Sequence, residues 1–424
     1  MTDKPWCLVL GGGGAKGVYH IGVWKALREL GIEVDAFVGT SIGAIIAALL
    51  AGGAEAELEE IGVRMSLERI IALPEGAGQE APKGPFDLLR SREFIKRILA
   101  RGGADTTPLR ALLERLVNER AVRAGGRDLG IVTLNVSDWK PLEIFIEEIG
   151  EGRLVDYLMA SAAFPGFVQP LIEGKRFVDG GLHDNVPLDT ARSRGYRRII
   201  VSDISGAGRS RRPELEGCQI VYLKNSVERG GTFDFDPPFL ASFQELGRLD
   251  TLRAFGALEG YSYFLKPEPD IEAAWSASLP PASPEGRRTL PPPPERMAKD
   301  RRHLLVTLEC AALALGLERI GIYDRASLTS ELPARRLAVE ERVQALRAEL
   351  GEGSGRLIRL VQEALDRERF EECPWFYWRL AGGGRAKGAA SLLVGALERL
   401  FPELPRAEAW IEGGLPPLPY SKKD

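Results

Sequence analysis

Short, wholly apolar runs alternate along this chain with longer stretches in which apolar residues recur every three or four positions. Residues 5–10 (Pro-Trp-Cys-Leu-Val-Leu) and 36–38 (Ala-Phe-Val) predict buried strands. Between them Val18, Ile21, Trp24 and Leu27 predict a helix over 18–30, and the apolar residues 42–50 predict a second. Further strands are expected at 129–136, 142–146, 175–178, 198–203, 219–223 and 261–265. Helices are expected at 108–123 (Thr107 as cap, proline at the first position), 153–163 and 237–259. This alternation predicts an α/β fold with a mainly parallel sheet sandwiched by helices. Beyond residue 265 the pattern changes. Residues 266–300 are rich in proline, with Pro291 to Pro294 consecutive, and predict a linker or arm. Residues 301–424 carry helical patterns at 302–316, 332–350, 354–369 and 386–401, predicting a separate C-terminal helical region.

Two glycine-rich turns punctuate the first strands. Gly11-Gly12-Gly13-Gly14-Ala15-Lys16-Gly17 follows the first strand and opens the first helix. Its bare backbone N–H groups and the helix N-terminus favour negative charge, either a phosphate or a tetrahedral oxyanion. Gly12-x-Gly14-x-x-Gly17 matches a dinucleotide-binding fingerprint. That reading also requires an acidic residue at the end of the second strand, whereas Asp35 precedes that strand. A Walker loop needs Gly-Lys-Ser/Thr, and Lys16 instead stands between Ala15 and Gly17.

The second turn is Gly39-Thr40-Ser41-Ile42-Gly43, a G-x-S-x-G sequence in strand–turn–helix context. A serine on so tight a turn leaves no room for side chains two residues before and after it, and Gly39 and Gly43 supply that room. Ser41 reads as a nucleophile, with a helix N-cap as the simpler alternative. The chain has three histidines, His20, His183 and His303. An α/β-hydrolase would place its elbow after several strands and supply a histidine base; here Ser41 follows only the second strand. Asp179-Gly180-Gly181 ends another predicted strand. Its carboxylate reads either as a base facing Ser41 or as an Asx turn.

The motifs Gly-Gly-Gly-x-Lys-Gly, Gly-x-Ser-x-Gly and Asp-Gly-Gly, in this order, resemble the patatin-like phospholipase family over about residues 5–265. The resemblance implies a lipid acyl hydrolase with a Ser–Asp dyad. It makes Ser41 the nucleophile, Asp179 the general base, and the N–H groups of Gly12, Gly13 and Gly14 the oxyanion hole. Lys16, Gly17, Gly39, Gly43, Gly180 and Gly181 become supporting positions. Residues 160–165 (Ala-Ser-Ala-Ala-Phe-Pro) resemble a family turn beneath the active site, and Asn185 and Pro187 fit the segment after the aspartate. The histidines then revert to simpler roles: His20 is placed to line the pocket, and His183, four residues after Asp179, either approaches that aspartate or belongs to a surface loop. No metal or cofactor is implied, because amides and helix dipole supply the electrostatics. The division expected is a catalytic domain over 1–265, the linker, and the helical region. Residues 54–126 form an insertion that serves as a lid or acyl-chain pocket, or as a plain surface excursion.

Composition narrows the partners. A net charge of −4 over 424 residues argues against nucleic-acid binding. Cys7, Cys218, Cys310 and Cys373 show neither paired nor metal-binding spacing, which fits reduced thiols in the cytoplasm. No secretory segment precedes the first strand, and the longest apolar run is too short to span a bilayer. A lipid substrate with peripheral membrane contact is expected. Arg209 to Arg212 is a candidate for anionic headgroups or a solvated loop, and the aromatic run at 374–378 for a membrane interface or for packing against the catalytic domain. The C-terminal helices are candidates for homo-oligomerisation. Two other functions fit parts of the pattern: a nucleotide-binding enzyme using the glycine loop, and a non-catalytic interaction protein acting through the C-terminal helices.

Overall fold

Strand β1 (Trp6–Leu10), buried throughout, lies at the centre of an eight-stranded sheet. The computed structural model describes residues 5–72, 102–206, 208–211, 215–268, 294–297, 303–350, 373–381 and 389–411. The chain forms two compact units, Met1–Phe255 and Gly256–Asp424. In the first, β1 runs parallel to β2 (Val34–Thr40) on one side and to β7 (Arg198–Asp203) on the other. Outside them, β2 pairs in parallel with β3 (Asp128–Asn135), and β7 with β8 (Gln219–Lys224). The antiparallel strands β4 (Lys140–Phe145), β5 (Leu171–Ile172) and β6 (Lys175–Asp179) complete the sheet.

The register around β3 positions the site. Strand β4 occupies one edge of β3 from Gly130 to Asn135. Strands β2 and β6 must therefore share the other edge. Thr40 of β2 stands opposite Val132, and Asp179 of β6 stands opposite Thr133. Two strands far apart in sequence thus end head to head at adjacent residues of one neighbour.

Helices cover both faces of the sheet. Cys7, Val9, Ala36, Val38, Ile199 and Val201 point to one face, where Leu188 and Ala191 of a short helix (Leu188–Ser193) cover them. The opposite face carries Phe37, against which Trp24 of α1 (Val18–Glu29) packs edge-on at 5.7 Å. Helix α2 (Ile42–Ala51) springs directly from the end of β2. The architecture is the mainly parallel, helix-covered sheet expected from the alternation of patterns.

Several boundaries differ from expectation. Residues 108–123 hold two helices, α3 (Thr107–Leu116) and α4 (Glu119–Ala124). Val117 adopts an extended conformation between them, and the Asn118 side chain accepts from the Ala121 N–H to cap the second. Thr106, not Thr107, stands at the first cap. The long helix Pro237–Ala254 stops five residues short of position 259. The strand expected over 261–265 contracts to Phe264–Leu265, because the N–H groups of Tyr261, Ser262 and Tyr263 donate to the Glu309 carboxylate instead of a ladder. The expected turns at 74–85, most of the linker at 266–300 and the helix at 354–369 lie outside the described residues.

The second unit holds helices His303–Ala314, Arg325–Leu350, Pro374–Ala381, Ala389–Leu400 and Leu404–Ile411. Trp375, Phe376, Tyr377 and Trp378 are buried in the core of this unit itself. They offer no aromatic face to a membrane interface, and they need no other unit to cover them. Among the described residues no helix is long and apolar enough to cross a membrane.

Helix α1 lies unusually close to the helix Pro237–Ala254. A Cβ on Gly22 would stand 1.8 Å from the Gln244 carbonyl oxygen, and one on Gly247 would stand 2.1 Å from that of Tyr19. Both obstacles are backbone atoms that cannot rotate away. Gly22→Ala is expected to destabilise the first unit by about 1–3 kcal/mol, measured by calorimetric melting as a lower transition temperature for that unit.

Candidate active site

Ser41 sits in the turn between β2 and α2 with φ 58° and ψ −127°, a positive-φ conformation rare for a non-glycine residue. The surrounding sequence makes this possible. A Cβ on Gly39 would stand 2.4 Å from the Gly43 carbonyl carbon and oxygen, and one on Gly43 would stand 2.2 Å from the Leu10 carbonyl oxygen. Only glycine fits at either position. The Ser41 side chain does not cap α2. It donates to Asp179 Oδ2 at 2.6 Å.

Asp179 uses its two oxygens differently. Oδ1 accepts the Gly181 N–H at 2.8 Å, and Oδ2 accepts the Ser41 hydroxyl. The two readings of this aspartate from sequence therefore coexist: the Asx turn occupies one oxygen and fixes the other towards Ser41. Burial pushes the Asp179 carboxyl up to about 6, against the opposing pull of hydrogen bonds from Ser41 and Gly181. Gly180 permits this approach, since a Cβ there would stand 2.2 Å from the Val132 carbonyl oxygen. Asp179 N–H itself donates to the Ala163 carbonyl at 2.8 Å, which ties the 160–165 segment beneath the site.

The glycine loop contributes donors unequally. Gly12 N–H donates to the Asn185 carbonyl at 3.0 Å, so the expectation that it offers itself to an oxyanion does not fit this arrangement. Ala15 N–H is likewise engaged, with the Thr232 carbonyl at 2.8 Å. Gly13 and Gly14 N–H have no protein partner among the described residues, and both glycines line the cavity beside Ser41. Gly14 takes φ 58°, and a Cβ on it would stand 2.2 Å from the Thr232 carbonyl oxygen. Gly17 lets the loop close on α2, where a Cβ would stand 2.4 Å from Ile42 Cγ1. Lys16 is buried away from the cavity and lies 4.0 Å from Glu228.

Two further residues shape the site. Ser161 Oγ accepts the Ser41 N–H at 2.9 Å and donates to the Val132 carbonyl at 2.7 Å, bridging the seam where β2 and β6 meet. Its motif was visible in sequence, but not its partners. Asn185 Nδ2 donates to the Gly12 carbonyl at 3.1 Å, and with the bond from Gly12 N–H to its own carbonyl it locks the glycine loop at both ends of one residue. His20 does not line the pocket. It is fully buried between Ser202 Oγ (2.7 Å) and the Gly11 carbonyl (2.8 Å), and burial lowers its imidazole to about 4, so it is neutral. His183 lies near the surface, 3.3 Å from Glu143.

A cavity of about 340 Å³ opens beside Ser41 and Asp179. Its aliphatic lining includes Ile42, Ile45, Ile61, Met65 and Leu109. Phe164, Phe167 and Phe233 form an aromatic cluster in its wall, with ring centroids 5.2–6.5 Å apart. Part of the 54–126 segment therefore does line the cavity, through Ile61, Met65, Ile70 and Leu109. Chemically, the site is an oriented hydroxyl, a carboxylate able to take its proton, two unpartnered amides and an apolar chamber of small-molecule size. Among the described residues no group of His, Cys, Asp and Glu is arranged to hold a metal ion.

Residues 8–192 match the family model of patatin-like phospholipase. Human patatin-like phospholipase domain-containing protein 6 is 31% identical over 215 residues, covering 48% of this chain and 14% of that protein. Lysophospholipase nte1 of Aspergillus fumigatus is 29% identical over 272 residues, covering 61% of this chain and 16% of that protein. The chain thus spans less than a fifth of the length of these curated relatives. Among solved structures, VipD from Legionella pneumophila is 16% identical with a TM-score of 0.29, covering 98% of this chain and 89% of that one. The family match takes in the end of β1, the glycine loop, Ser41, Asp179 and Asn185, so that residues 8–192, a little under half of the chain, are similar to the patatin-like phospholipase family.

Proposed function

We propose that this protein hydrolyses fatty-acyl ester bonds of phospholipids or lysophospholipids, with Ser41 as nucleophile and Asp179 as general base. The observation that carries this reading is the 2.6 Å hydrogen bond from the Ser41 hydroxyl to Asp179 Oδ2 at the wall of an apolar cavity. Ser41 Oγ attacks the ester carbonyl while its proton passes to Asp179. The developing oxyanion is held by the N–H groups of Gly13 and Gly14, at the N-terminus of the helix that opens there. Asp179 returns the proton to the leaving alcohol. A water then attacks the acyl-enzyme, gives a proton to Asp179 and releases the fatty acid, and Asp179 reprotonates Ser41. The acyl chain occupies the chamber lined by Ile45 and Met65.

Lysophospholipase nte1 and the family match support lipid ester hydrolysis. The nucleotide reading finds less support, because Gly12 N–H and Ala15 N–H are spent on backbone carbonyls and no longer face a phosphate.

Four expectations test this reading. Ser41→Ala abolishes turnover, and Asp179→Asn lowers kcat by about 10²–10⁴, with fluorophosphonate labelling mapped to Ser41 in the wild type alone. The base must be ionised, and its carboxyl titrates at about 6. Hence kcat/KM should fall about tenfold per pH unit below 6 and level off above it, as a pH–rate profile reads; a profile without that acid limb counts against Asp179. Ser161→Ala leaves the Ser41 N–H without its acceptor and should lower kcat roughly tenfold with KM little changed, in steady-state kinetics. Ile45→Phe shortens the chamber and should depress kcat/KM for the longest acyl chains by roughly tenfold or more relative to short ones, in a chain-length series of esters.

A further inference from the structure

Beside the cavity wall stands a cation with no side-chain partner among the described residues. Segment 208–211 runs against the two residues that organise the site. Arg209 N–H donates to the Gly181 carbonyl at 2.9 Å, and the Arg209 carbonyl accepts the Asn185 N–H at 2.7 Å. Gly181 is the residue whose N–H holds Asp179 Oδ1, and Asn185 is the residue that locks the glycine loop. Gly181, Asn185 and Gly208 all line the cavity. Gly208 makes the close approach possible, since a Cβ on it would stand 2.8 Å from both the Asn185 side chain and the Gly181 carbonyl oxygen. The backbone of Arg209 is therefore fixed one residue from the cavity wall, by bonds that do not involve its side chain.

The side chains of this run differ sharply. Arg211 is engaged, with Glu143 at 3.4 Å and Asp189 at 3.6 Å. Arg209 is exposed, and its guanidinium has no ion-pair or hydrogen-bond partner among the described residues. Lys16, the basic residue of the glycine loop, is buried against Glu228 and does not reach the cavity. Apart from Asp179 itself, the lining is apolar or uncharged. Among the described residues, Arg209 is thus a cation anchored next to this wall and left unspent.

We propose that Arg209 binds the phosphodiester of the substrate and so selects glycerophospholipid esters over neutral glycerides. This rests on the ester-hydrolase reading above. In a glycerophospholipid the phosphate lies only a few bonds from the ester attacked by Ser41, on the side that leaves. An acyl chain held in the apolar chamber directs that headgroup outward, towards the rim. A guanidinium offers paired N–H donors in a planar fork that matches two phosphate oxygens, which a point charge does not.

The test uses two water-soluble esters below their aggregation concentrations, dihexanoylphosphatidylglycerol and dihexanoylglycerol, so that adsorption to a lipid surface plays no part. For the full chain, the ratio of kcat/KM for the phospholipid over the diglyceride should fall roughly tenfold in Arg209→Gln. Arg209→Lys should lie between, and Arg211→Gln should keep the wild-type ratio. A second arm measures binding of the same two lipids by calorimetry in a Ser41→Ala background, where Arg209→Gln should weaken the phospholipid alone. Equal losses on both lipids, or no loss on either, overturn the proposal. Loss of selectivity only when the phospholipid is presented in vesicles also overturns it, and assigns Arg209 to the membrane surface. If the wild type cleaves neither ester, the hydrolase reading fails, and the binding arm still decides whether Arg209 reads phosphate.

Discussion

The site depends on two strands ending head to head. Strand β3 offers one edge to two partners in succession, β2 in parallel and β6 antiparallel, and they stop at Val132 and Thr133. Opposite directions of travel bring two C-terminal strand ends to one point. The residue after β2 is Ser41 and the last residue of β6 is Asp179, so hydrogen-bonded register alone delivers hydroxyl to carboxylate. Ser161 closes the gap, joining the Ser41 N–H to the Val132 carbonyl. A slip of either strand by one residue would turn its side chains to the opposite face and separate the pair.

The same burial that encloses the apolar cavity sets the proton affinity of Asp179. Asp179 has almost no contact with water, and desolvation raises its carboxyl from 3.8 to about 6. The unfolded carboxyl ionises first as pH rises, so folding stability is lost between these two values. The loss is on the order of 3 kcal/mol once the pH passes 6. An aspartate at its ordinary value would be a weak acceptor for a serine proton. The fold therefore trades stability at neutral pH for a more basic carboxylate, and the apolar walls that impose the cost are those that would solvate a hydrocarbon chain.

Much of this was legible in the chain. Gly39 and Gly43 announce a tight turn because nothing larger fits there, and steric exclusion is a local property that sequence states directly. The parallel strands were legible because burial on both faces demands continuous apolar residues, as at β1. What stayed hidden depends on partners distant in sequence. That Gly12 N–H is spent follows from the Asn185 carbonyl, 173 residues away. That His20 is neutral and walled in follows from Ser202. The break at Val117 was masked because apolar spacing continues across both helices while only Asn118 marks the second start. The aromatic run at 374–378 fitted either a membrane interface or packing against the catalytic domain, and its burial is decided by the helices of its own unit.

A serine paired with a single aspartate, as proposed here, has no intermediary whose orientation must be fixed. In a three-residue system the carboxylate orients a histidine, and the histidine moves the proton. In the proposed dyad one carboxylate must be held and reactive at once. Asp179 divides the tasks between its oxygens, giving Oδ1 to the Gly181 N–H and Oδ2 to Ser41. The hydrogen bonds from Ser41 and Gly181 stabilise its charge and work against basicity, and burial supplies the opposing push. Gly181 then becomes a junction, because its carbonyl anchors Arg209 while its N–H anchors Asp179. Asp179, glycine loop and Arg209 are thereby tied by one short stretch of chain, from Asp179 to Asn185, and their relative positions cannot drift independently.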